Sequence, residues 1–184
     1  MQLTSLLTSA ALAGLSIAAP AQKRDFSGPY TVIAHKPGFP FDGLEVQAAG
    51  EHFFLSPGGA PAYYCPTEVG SACPNTTDTV MVGSSMDTEV PGGQQMYTQI
   101  GGAIAFTQAH SASEYNYLEP GPSPNSNGHW LGFSGEGMTA CPVASQPGTW
   151  QVYAEVAGFN QTGCACFKGK AKHWTGGVGA WQYV

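Results

Sequence analysis

Apolar and polar positions alternate in short runs along most of this chain, most clearly at Thr149–Val156. Trp150, Val152, Ala154 and Val156 fall on one side of an extended segment and Gln151, Tyr153 and Glu155 on the other, the period of a half-buried strand. Similar runs at Tyr30–Ala34, Leu44–Gln47, His52–Leu55 and Thr79–Val82 predict further strands. So do Gln95–Ile100, Ala103–Gln108, Trp130–Phe133 and Ala180–Val184. Gly101-Gly102 between two of these runs is a hairpin signal. Glu68–Ala72 has room for one helical turn, Ala165–Trp174 is ambiguous, and Gly121–Gly128 reads as a long loop. The pattern predicts an all-β chain, one compact domain of about ten to twelve short strands. A barrel or β-trefoil-like closure is expected, with a β-sandwich as the alternative.

The first 24 residues break this pattern. Residues 1–19 carry a Leu- and Ala-rich run ending in small residues before Pro20, which reads as a secretory signal peptide rather than a membrane span. Residues 20–24 end in Lys23-Arg24, a dibasic pair that would make them a short pro-segment and leave 25–184 as the β domain.

Composition narrows the class. Only 6 basic residues stand against 12 acidic ones, so no surface exists to neutralise nucleic-acid phosphates. Twenty-five Gly and 14 Pro disfavour a helical bundle, and no later apolar run is long enough to span a bilayer. A monomer with no nucleic-acid or membrane partner is expected.

Five cysteines in a secreted chain point to disulfides rather than metal, since no C-x-x-C pair is present. Cys65 and Cys73 flank a short loop, and a bridge there contributes about 2.5 kcal/mol by loop entropy; a Cys141–Cys164 bridge contributes about 3.5 kcal/mol. Cys164 and Cys166 are too close in sequence to pair well, and one thiol is left over, either buried or shared with a second chain. Asn75-Thr76-Thr77 and Asn160-Gln161-Thr162 are N-glycosylation sequons beside turn residues.

Catalytic arrangements are thin. His110 and Ser111 are adjacent, so on a strand they face opposite ways, and His110 reads as a hydrogen-bonded structural histidine. Asp87 and Glu89 share a strand face, whereas glycoside hydrolysis needs carboxylates opposed across a cleft. His35, His52, His110, His129 and His173 lack ligand spacing, so neither metal nor cofactor is expected. Tyr115, Tyr117, Trp130 and Trp174 lie near polar loops and are candidates for stacking on sugar rings. The competing reading packs Trp130, Trp150 and Trp181 in the core.

The segments VPGGQQ (Val90–Gln95), TQAHSA (Thr107–Ala112), ACPV (Ala140–Val143) and AWQY (Ala180–Tyr183), with YCPTEVGSACP, carry a family likeness. The chain resembles small secreted proteins of filamentous fungi known as IgE-binding proteins, distantly similar to the cell-wall protein PhiA. The resemblance implies an extracellular or wall-associated, non-enzymatic β protein, antigenic in the sense of the family name. It also implies four paired cysteines, at Cys65, Cys73, Cys141 and Cys164, and makes Cys166 the unpaired thiol.

Three functions follow as expectations: a surface or wall protein without catalysis, a binding module for wall polysaccharide or a host protein, or a small glycoside hydrolase. Removing residues 1–24 leaves a net charge of −8, with Lys168, Lys170 and Lys172 as a single basic strip. An anionic partner would have to meet the protein there.

Overall fold

The computed structural model describes residues 28–111, 117–118, 121–132, 135 and 137–184; the expected leader and pro-segment lie outside them. The first strands are β1 (Tyr30–His35), β2 (Gln47–Ala49), β3 (His52–Leu55) and β4 (Tyr63–Tyr64), followed by a 3-10 segment, Thr67–Ala72. Then come β5 (Met81–Val82), β6 (Ser85–Met86), β7 (Gln94–Gln99), β8 (Ile104–Phe106), β9 (Tyr117–Leu118) and β10 (Ser123–Pro124). The last five are β11 (His129–Leu131), β12 (Met138–Pro142), β13 (Trp150–Ala154), β14 (Ala165–His173) and β15 (Gln182–Tyr183).

Thirteen strands join one antiparallel sheet in the order β1-β5-β6-β7-β8-β3-β13-β12-β14, with β11 and β10 continuing from β14 and β2 and β9 attached at its sides. β14 also pairs with β1 over Tyr30↔His173 to His35↔Lys168, so the order returns to its start. Two links are a single residue pair wide, Tyr30↔Met81 and His52↔Ala105. The result is one large antiparallel sheet of many strands rather than a clean barrel.

Alternation places the core. Tyr30, Val32 and Ala34 of β1, Phe53 and Leu55 of β3, and Val152 and Ala154 of β13 are all buried on the inner face. Their rings lock edge to face: Phe53 lies 5.5 Å from Phe106 and 5.9 Å from Trp130, and Phe41 lies 5.5 Å from Trp150. Such pairs add about 0.5–1.5 kcal/mol each beyond the area they bury.

β14, over the stretch whose sequence is ambiguous, is the longest strand among the described residues. Its inner positions are Phe167, Gly169 and Ala171, and its outer ones Cys166, Lys168, Lys170 and Lys172. The stretch expected as a loop at Gly121–Gly128 contains β10, which pairs with β11 through a turn held by Gly128 N–H to Asn125 O at 2.9 Å.

The C-terminal strand is threaded into the molecule. The Gln94 side-chain amide accepts from Tyr183 N–H at 2.8 Å and donates to Tyr183 O at 2.9 Å, completing a backbone ladder with a side chain. Its amide nitrogen also donates to Thr107 O at 2.9 Å. The Tyr183 hydroxyl accepts from Val80 N–H and donates to Asp78 O, both at 2.9 Å. Gly179 passes so close that a Cβ there would meet the Tyr183 oxygen at 2.5 Å and Val80 Cβ at 2.7 Å.

Candidate functional site

β14 runs out at His173, and the next residue, Trp174, is fixed at once: its backbone N–H donates to Pro29 O at 2.9 Å. The chain then curls back so that the Trp174 indole N–H donates to Gly177 O at 2.7 Å. Gly176 lies flat against the indole, where a Cβ would fall 2.4 Å from the ring. The ring is thus held in one orientation yet remains half-exposed.

That ring forms one wall of a cleft of about 420 Å³. Pro74, Asn75, Thr77, Glu89 and Val178 line the same cleft. The Asn75 wall is set by the Cys65–Cys73 disulfide, whose 3-10 segment delivers the chain to Pro74. The Trp174 wall is held beside Glu89 by the parallel bridge Thr88↔Ala180 and by Glu89 N–H to Ala180 O at 3.1 Å. Chemically the cleft offers an aromatic face, a carboxylate, an amide and a hydroxyl.

Asp87 and Glu89 have separate surroundings. Glu89 is exposed and lines the cleft, whereas the half-buried Asp87 carboxylate accepts from Gly179 N–H at 3.3 Å. Burial raises the Asp87 pKa, the Gly179 N–H opposes that shift, and the charge of Glu89 adds to it. The two are therefore not a pair facing each other across the cleft.

The remaining sequence candidates scatter. Trp130 is only 1% exposed and packs against Phe53, so its ring is closed to a sugar. Tyr115 lies outside the described residues, as does the side chain of Tyr117, whose backbone forms part of β9. Asn75 and Asn160 are both exposed. Cys141 and Cys164 are joined across the end of β12, and Cys166 is a free, exposed thiol rather than a buried one. Its S–H donates to Glu155 Oε1 at 2.9 Å; that bond, with one from the Thr139 hydroxyl, lowers the Glu155 pKa.

His110 is exposed rather than built into the core, and its backbone has φ +61°. Glu51, at φ +63°, is the other non-glycine residue in the left-handed region among the described residues. Both line a second cleft, of about 380 Å³, beside Val184. Local structure accounts for their geometry. Glu51 occupies the two-residue turn between β2 and β3 and is held by the Gln108 side chain and by Phe106 N–H at 3.0 Å. His110 sits third in a turn closed by Ser111 N–H to Gln108 O at 3.3 Å.

Among the described residues no group of three or more His, Cys, Asp or Glu could hold a metal ion, and no helix is long and apolar enough to cross a membrane.

These features define a disulfide-stapled, all-β protein with an aromatic-rich core. The family model of PhiA-like secreted proteins matches residues 30–184, and the chain belongs to that family. It is 40% identical over 200 residues to an uncharacterized secreted protein of Arthroderma benhamiae (strain ATCC MYA-4681 / CBS 112371). That match covers 98% of each chain. No solved structure matches. The protein is secreted and fungal in kind.

Proposed function

We propose that this protein stays at the fungal cell wall after secretion and acts there by binding polysaccharide, without catalysis. The observation that carries the reading is the Trp174 cleft: an oriented, half-exposed indole sharing one cleft with an amide, a hydroxyl and a carboxylate. An apolar sugar face stacks on such a ring while its hydroxyls take the polar groups, as amphipathic aromatic surfaces allow. Family membership supports the wall setting. The antigenic character implied by the resemblance describes how a host responds and leaves this role unchanged.

Wall fractionation and pull-down on chitin, β-glucan and mannan test the reading. The protein should appear in the wall fraction and be retained on at least one polymer, and Trp174→Ala should lose that retention while melting at nearly the same temperature. Recovery from the medium alone, with no retention on any of the three, would sink it.

A further inference from the structure

We infer that the outer face of β14 is a binding track for an acidic polysaccharide, separate from the Trp174 cleft. Lys168, Lys170 and Lys172 are all exposed on that face, three of the four lysines among the described residues. Alternate residues on a strand lie about 6.6 Å apart, so the three ammonium groups span a line of about 13 Å. The cross-strand partner of Lys168 is His35, and Lys170 is flanked by Ile33 on one edge and His129 on the other.

Two ordinary explanations for these lysines do not hold. Lysine is common on edge strands, where it blocks pairing with another chain. β14 is paired on both sides, with β1 along one edge and with β12 and β11 along the other. A surface ion-pair network is the second explanation. His35 and Asp42 form an ion pair at 3.3 Å, and none of the three lysines lies within ion-pair distance of a carboxylate of a described residue. Like charges at this spacing repel, so the row gains most when a counter-charge lies along it.

The shape of the positive region selects the partner. It is one strand wide, and Glu45, which bridges to Ile33, puts a carboxyl within electrostatic reach of Lys172. Asp42 lies beside His35 at the other end. A broad anionic surface, whether a membrane or an acidic protein, would press against these carboxylates. A single polymer chain carrying carboxylate or sulfate groups lies along the lysines and avoids them. The secreted protein meets such polymers outside the cell, and flexible point charges suit irregularly spaced anions better than the bidentate fork of arginine.

The test uses the full secreted protein at pH 7 and 50 mM NaCl on immobilised heparin and polygalacturonate. Retention on at least one is expected, with release by added salt. Each Lys→Gln change should weaken binding about five-fold and the triple change about a hundred-fold. The triple Lys→Arg variant should keep most of the binding, as should Lys36→Gln and Trp174→Ala. The Trp174 result separates this site from the neutral-polymer cleft. Equal retention of the triple Lys→Gln variant, or flow-through of the wild type on both resins, would overturn the proposal. Tighter binding to anionic lipid vesicles or to DNA than to both glycans would overturn it as well.

Discussion

Gln94 shows how much one buried side chain can organise. Its amide satisfies both backbone groups of Tyr183 and the carbonyl of Thr107. Gln94→Met keeps the volume and leaves three polar groups without partners, each costing about 1–3 kcal/mol. The variant should melt at least about 5 °C lower by differential scanning calorimetry. His110 makes the opposite case. Left-handed backbone costs a non-glycine residue about 1–2 kcal/mol, so His110→Gly should raise stability by about 0.5–1 kcal/mol after its added chain entropy. A urea melt reads this directly, and an unchanged or lower midpoint would contradict the strain argument. Asp87 supplies a pH signature. Its folded pKa is raised by burial, so the folded state holds a proton more readily than the unfolded one. Stability from this group therefore rises as pH falls from neutral through its folded pKa. Asp87→Asn keeps an acceptor for Gly179 N–H, and the change in urea midpoint on going from pH 7 to pH 5 should be less favourable to the folded state in it than in wild type.

At the scale of elements, alternation was legible where both faces used residues that favour strands. β13 and the β7–β8 hairpin follow their apolar rows closely. β12 and β14 did not stand out, for physical reasons. β14 alternates strictly, but its outer row is lysine and its inner row includes Gly169, both poor strand formers taken singly. Three paired neighbours override that weakness. β12 follows Gly137 and ends in Pro142, which read as punctuation in a lone sequence. The cleft was less legible still. Trp174 and Asn75 could be named individually, but the bridge Thr88↔Ala180 that brings their loops beside Glu89 joins residues far apart in the chain. The Cys65–Cys73 staple holds one wall of that cleft on an exposed loop. Replacing both cysteines by serine should reduce polymer retention more than it reduces the melting temperature. Replacing Cys141 and Cys164, which tie together paired strands, should cost about 3.5 kcal/mol, measured by denaturant unfolding.

Across the whole molecule, the acidic body and the single basic face divide the surface by charge. Twelve acidic residues are spread along the chain, while Lys168, Lys170 and Lys172 share one strand. The free thiol lies on the same face: Cys166 continues the outer row of β14 and should take up one maleimide per native chain, read by intact mass. Two or more labels without denaturant would mean that a disulfide is open.

The threaded C-terminus also sets the order of events during synthesis. Tyr183 docks on Gln94 and Val80, and Val184 exchanges hydrogen bonds with Gly50 and Ala62, all made long before it. The β4–β15 pair and the contacts of Gln94 with Tyr183 cannot form until residues 182–184 have left the ribosome. Asn75 and Asn160, both exposed in the folded chain, precede these residues and so leave the ribosome before the contacts can form. A chain that stops before Gln182 lacks the partners that Gln94, Val80 and Gly50 find in residues 183 and 184, and it should unfold at a lower temperature.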